Sequence, residues 1–181
     1  MFILDAIPIG IVAGLLIGGK LDQLADRRLR WAPLAVLGLL VQVVLFAGPI
    51  GAAVGDAAPV IYVVSTAAVL IAVLRDVRVP GMAFIAIGAG SNLAAILANG
   101  GSMPADPVAL ASVVDLTPGY SNSVVVADPA LRALTDLFAL PASFPFANVF
   151  SVGDVLIGIG VAATIAIAMR ARPPDSAGTG D

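Results

Sequence analysis

KLDQLADRRLR (20–30) separates two apolar runs, FILDAIPIGIVAGLLIGG (2–19) and WAPLAVLGLLVQVVLFAGPI (31–50), and its basic residues decide how the chain is read. Lys20, Arg27, Arg28 and Arg30 follow the first run. Arg75 and Arg78 follow the third apolar run, and Arg170 and Arg172 follow the last. Of nine Lys and Arg residues only Arg132 falls in the alternate set of loops. Short cytoplasmic loops retain Lys and Arg because these residues resist translocation. The pattern predicts an all-α integral membrane protein of the bacterial inner membrane. It would be a five-transmembrane-helix bundle, N-terminus outside and C-terminus cytoplasmic.

Composition agrees with that class. The chain has 181 residues, 60% apolar and 12% charged, with a mean hydropathy of +1.05, outside the range of soluble domains. Every acidic residue is Asp and Lys20 is the only lysine, which reads as the base composition of a high-GC genome. No His and no Cys is present, which excludes disulfides, zinc sites, cysteine nucleophiles and Ser-His-Asp triads. The net charge of −3, with its basic part on one face, argues against a nucleic-acid partner. A signal peptide at 1–19 is disfavoured, because the first charge is Asp5 and the basic cluster comes after the apolar run.

The spans are expected at about 2–19, 31–50, 59–74, 81–98 and 152–169, each near the roughly 20 apolar residues that cross about 30 Å of hydrocarbon. In lipid each backbone amide must bond within its own segment, so the spans should be helical. Residues 1–172 then form one membrane domain, and PPDSAGTGD (173–181) is a disordered cytoplasmic tail. Gly10, Gly14 and Gly18 make a small-residue ridge on the first helix, and Gly158, Ala162 and Ala166 a similar one on the last. Such ridges let helix backbones approach closely, within the chain or, through Gly10, Gly14 and Gly18, in a homodimer.

The long segment 99–151 is expected as an extracytoplasmic cap of short helices and a Phe/Pro loop. Asp106-Pro107 and Asp128-Pro129 each place a capping carboxylate before a proline, predicting helices over 107–114 and 129–138. The second would carry Leu131, Leu134, Leu137 and Phe138 on one stripe. YSNSVVVA (120–127) is β-branched and suits an extended strand, while LPASFPFANVF (140–150) has too many prolines for one helix.

Within the fourth span Gly88, Asn92, Ala95 and Asn99 share one helical face, which runs into Gly100, Gly101 and Met103. Two carboxamides beside exposed glycine backbone suit a small-ligand cradle; the structural alternative is a helix–helix hydrogen bond at Asn92 and a C-cap at Asn99-Gly100-Gly101. Gln42, midway along the second span, is the expected partner of Asn92. Asp5 and Asp154 should lie at one level, where together they could hold a cation; alternatively, Ser151 and Asp154 have capping-box spacing. No charge lies at the centre of a span, which weighs against an ion-coupled transporter. Asp106, Asp115, Asp128 and Asp136 are not grouped into a metal-ligand set.

NLAAILANGGSMP (92–104), YSNSVV (120–125) and FALPASFPFANVFSVGDVLI (138–157) together resemble a family of small multi-pass bacterial membrane proteins catalogued as a domain of unknown function. The resemblance spans most of the chain and carries no activity, cofactor or catalytic residue. It implies a location, since its motifs gather on Asn99, Gly100, Gly101, Met103, Pro104, Tyr120, Asn122, Phe150, Ser151, Gly153 and Asp154. The expected function is non-enzymatic binding of a lipid, quinone-like or other small molecule under the cap. Asn92, Asn99, Gly100, Gly101, Met103, Gln42 and Asp154 would supply polar and backbone contacts, with Phe144, Phe146 and Phe150 as apolar walls. The alternative is an accessory subunit of a larger membrane complex. A transporter or membrane enzyme fits less well.

Overall fold

A computed structural model of the chain describes residues 2–24, 29–46, 53–113, 123–140 and 148–170. The chain is mostly helical. Five long helices are present among these residues: α1 (Phe2–Leu16), α2 (Ala32–Leu45), α3 (Ala58–Arg75), α4 (Met82–Ala98) and α6 (Val152–Ala168), with the short α5 (Pro107–Ala111) between the last two. Gly55–Arg75, which is α3 with the turn before it, is the one helix described that is long and apolar enough to cross a membrane. The other four long helices offer shorter apolar stretches.

The long helices pack in a row, α1 on α6, α6 on α4, α4 on α3 and α3 on α2. Small residues allow the close contacts. A Cβ on Gly10 would lie 2.9 Å from Ala162 Cα, and one on Gly14 would collide with Met169. The α1 ridge proposed for a second copy is thus occupied, at Gly10 and Gly14, by α6 of the same chain. Gly88 faces Gly153 and Ile157, and Gly160 faces Ile85 and Gly81, so α4 and α6 run antiparallel with backbones nearly touching.

This arrangement sorts the helix ends. At one end Lys20 N–H donates to Met169 O at 2.8 Å, Thr164 Oγ1 to Pro80 O at 2.9 Å, and Arg75 sits 5.0 Å above the Trp31 ring. Lys20, Arg75, Arg78 and Arg170 all lie there; Arg27, Arg28 and Arg172 are outside the described residues. At the opposite end Phe46 meets Tyr62 edge-on, within a core of Leu45, Ala58, Ala95, Ile96 and Met103.

The segment between α4 and α6 caps that second end, and it corrects the all-α expectation. Gly100 and Gly101 take left-handed φ values of 69° and 87°, which end α4 and turn the chain into β1 (Met103–Ala105). β1 pairs in parallel with β2 (Ser123–Val125), which lies within the stretch 120–127 expected to be extended. α5 forms where Asp106 caps it, accepting from Val108 N and Ala109 N at 2.9 and 3.2 Å, but stops at Ala111 rather than 114.

The helix expected over 129–138 is absent. Leu131 adopts φ 51°, a 3-10 turn covers Arg132–Leu134, and β3 (Phe138–Ala139) follows. Tertiary bonds displace the helical ladder: Ala130 N–H goes to the Asn99 side chain and Asp136 N–H to Pro104 O. β3 pairs antiparallel with β4 (Val149–Phe150), so the Phe/Pro loop is closed at its base by Phe138 stacked on Phe150 at 5.6 Å. The loop itself, 141–147 with Phe144 and Phe146, lies outside the described residues, as does the tail 173–181.

Candidate functional site

The polar residues concentrate where the cap meets α4 and α6. Ser151 precedes α6 with extended backbone, and its hydroxyl accepts from Asp154 N–H at 3.1 Å while Ser151 N–H donates to Asp154 Oδ2 at 2.9 Å. This is the capping box readable from the Ser151–Asp154 spacing. Asn92 of α4 joins it from the side: its Nδ2 donates to Asp154 Oδ1 at 2.9 Å, and Ser151 Oγ lies 2.8 Å from Asn92 Oδ1. Ser151 Oγ is also 3.0 Å from Asp154 Oδ2, so its single proton serves one of two acceptors. Ser151 is fully buried. Gly153 is glycine because a Cβ there would collide with Asn92 Oδ1.

Asn99 fastens the cap. Its Nδ2 donates to Ala130 O at 2.9 Å and to Ala95 O at 2.8 Å, and its Oδ1 accepts from Ala130 N–H at 2.9 Å. Gly101 packs on Pro59 at the start of α3, and Met103 is buried in the core beneath. Gly100 has open space where a side chain would be.

Gln42 is not the partner of Asn92, which corrects that expectation. Its Nε2 donates to Thr66 Oγ1 of α3 at 3.2 Å, and Thr66 Oγ1 donates in turn to Tyr62 O at 2.8 Å. α2 touches α3, whereas Asn92 faces α6 from the far side of α4. Asp5 does not take up the Asp154 oxygens either: both bond within the junction, and Asp5 Oδ2 is buried without a hydrogen bond among the described residues.

Asp136, named in the sequence only as one of four scattered aspartates, is the most perturbed group described. It is 3% exposed, and its Oδ2 accepts from Ser123 Oγ at 2.8 Å. Burial first, then repulsion from Asp154, pushes its carboxyl up from 3.8 to about 7, against the opposing Ser123 hydrogen bond. The only hint in the sequence was a lone carboxylate inside the apolar string LTDLF (134–138).

A cleft of about 350 Å³ opens on the cap beside this cluster, lined by Ala105, Asp106, Val125, Asp128, Arg132 and Thr135 among others. Arg132 Nη2 pairs with Asp106 Oδ2 at 3.6 Å at its rim. No group of three potential metal ligands occurs among the described residues.

The chain belongs to a family of unknown function (DUF5317), which matches residues 26–166. That span contains every motif on which the resemblance was drawn. No curated protein and no solved structure matches the chain.

Proposed function

We propose that this member of the family is a five-pass inner-membrane protein, N-terminus outside and C-terminus cytoplasmic, that binds a small amphipathic molecule at its extracytoplasmic cap without catalysing a reaction. The membrane part of this reading is supported by outward-facing apolar side chains on every long helix. Leu16, Leu37, Val60, Ile87 and Ile159 are each at least half exposed, one on each helix. In water such faces are a liability; in lipid they are the solvated surface. The gathering of basic residues at one end of the row supports the proposed orientation. The described helices α1, α2, α4 and α6, of 15, 14, 17 and 17 residues, reach only about 21–26 Å, which a thinner or locally compressed bilayer accommodates.

The observation that carries the binding role is the cleft on the cap. Its volume is at the lower end of the ~300–1,000 Å³ usual for small-molecule sites. Apolar Val125, Val126 and Leu137 line it together with Asp106, Asp128 and Arg132. In this reading Asn92 and Asn99 hold the cap in place instead of touching the ligand directly. A second reading, an accessory subunit, is favoured by that same engagement of the asparagines within the chain, combined with the broad apolar helix faces.

Native mass spectrometry of the protein, extracted gently from its own membrane, separates the two. A discrete small adduct that disappears in Arg132→Ala supports binding at the cleft. A stoichiometric second protein with no small adduct makes the chain an accessory subunit.

A further inference from the structure

We propose that Asp136 is a proton-operated latch: protonated it closes the cap on itself and on the helix ends, and ionised it lets the cap open. The inference needs neither the membrane placement nor a ligand.

Asp136 is the residue at which the cap is tied together. Its N–H donates to Pro104 O at 3.0 Å, its C=O accepts from Asp106 N–H at 2.9 Å, and its carboxyl takes the Ser123 hydroxyl at 2.8 Å. One buried residue therefore joins β1, β2 and the segment leading into β3. The groups around it offer no compensation for a negative charge. β2 contributes the neutral Ser123, and β1 contributes backbone alone. α6 contributes the Asp154 carboxylate, whose own hydrogen bonds go to Asn92 and Ser151. From the N-terminus of α5 comes Asp106, paired with Arg132 on Asp136's own segment; Arg132 is 71% exposed and directed to Asp106. Among the described residues no cation pairs with Asp136.

A neutral carboxyl tolerates this setting, whereas a carboxylate beside a second carboxylate does not. Its upward displacement to about 7 places the change near neutrality. If opening returns Asp136 to water, the opening equilibrium rises about tenfold per pH unit from about 4 to about 7 and then levels off. Ala105, Asp106 and Thr135, held by this residue or next to it, also line the cleft, so opening the latch reshapes it.

Hydrogen exchange on the full-length protein in detergent, from pH 5 to 8 and corrected for intrinsic rates, tests this. The amides of Asp106 and Asp136 should lose protection about fiftyfold between pH 5 and 7. Those of Ile96 and Ile157 in the long helices should not change. Asp136→Asn should give cap protection that is flat with pH. Should that variant fail to fold, Ser123→Ala, which removes the hydrogen bond favouring the ionised form, should move the midpoint to higher pH. Flat protection in the parent protein overturns the latch. So does unchanged pH dependence in Asp136→Asn, an unmoved midpoint in Ser123→Ala, or parallel loss at Ile96 and Ile157.

Discussion

The carboxamide of Asn92, at mid-height on α4, donates to Asp154 Oδ1 in the first turn of α6 at 2.9 Å and receives the Ser151 hydroxyl on its other side. A single asparagine thereby completes the N-terminus of a neighbouring helix. The capping box accounts for one carboxylate oxygen, and Asn92 for the other. What the junction does for the fold follows from what each removal leaves behind.

Asn92→Leu removes the donor to Asp154 Oδ1 and one of the two acceptors open to the Ser151 proton, at a partly buried junction. Loss of a hydrogen bond to a charged group with its partner left unpaired costs about 1–3 kcal/mol. A lower thermal unfolding midpoint is expected, measured in the same detergent as the parent protein. Asp154→Asn, which keeps an oxygen for the capping box, should cost less. Equal midpoints for Asn92→Leu and the parent would show that the Asn92–Asp154 bond contributes nothing net.

The α4–α6 contact makes a sharper prediction from two glycines on one helix. A Cβ on Gly88 would collide with Gly153 O, while Gly90, two residues on, has nothing within 4 Å. Gly88→Ala should therefore destabilise by about 1–3 kcal/mol through overpacking. Gly90→Ala should be neutral or stabilising by up to about 1 kcal/mol, since alanine loses less backbone freedom in a helix. Unfolding midpoints of the two variants, compared side by side, decide it.

Asn99 holds the strand-forming segment rather than a helix, through both Ala130 bonds. Asn99→Ala should leave the long helices intact and loosen the cap. Limited proteolysis is the measurement, with faster cleavage expected within 123–140 and no change in helix content by circular dichroism. Cleavage at the parent rate would mean that Asp136 and the Gly101–Pro59 contact suffice.

How legible was this arrangement? The long helices lay open in the apolar runs, because a helix in that setting needs only length and composition. The Ser151–Asp154 cap was readable because both partners are three residues apart. The cap was not. Asp128-Pro129 has the local form of a helix start, yet the Ala130 amide that would sit in its first turn is bonded to Asn99, 31 residues away. Gln42 and Asn92 are the two carboxamides inside the apolar runs, but helix order in the row decides who meets, and that order is written in small-residue ridges on several helices at once. Asp136 was hidden for the same reason: its burial depends on Ser123 and Pro104, neither of which is near it in sequence.

Stability should fall as pH rises toward neutrality by the amount Asp136 contributes. The sign follows from linkage: its carboxyl titrates at about 7 in the folded protein against 3.8 when unfolded, so the folded state binds more protons between those values. The contribution is fully present below about pH 4, declines as pH passes toward 7, and is constant above. Asp136→Asn removes it. The unfolding midpoint of Asp136→Asn relative to the parent should therefore be higher at pH 8 than at pH 5. A difference that is the same at both pH values would mean that the carboxyl titrates alike in the folded and unfolded chains.

Orientation can be read chemically because the chain has no cysteine of its own. Ser112, just past α5 in the cap, should react with an impermeant thiol reagent in intact cells when replaced by cysteine. Cysteines at Ala25 and Ser176, in the first basic loop and the tail, should react only after the membrane is permeabilised. The three positions test different links of the reading. Labelling at Ala25 from outside would reverse the first span and with it the assignment of the basic end to the cytoplasm. Labelling at Ser176 but not at Ala25 would remove one pass and put Arg170 and Arg172 on the side opposite the first basic loop, against the shared basic end. With Ser112 labelled and the other two silent, the number of passes is odd between the cap and the tail and between the first basic loop and the cap. The 17-residue α6 must then cross despite a reach of about 25 Å, together with one or all three of α2, α3 and α4.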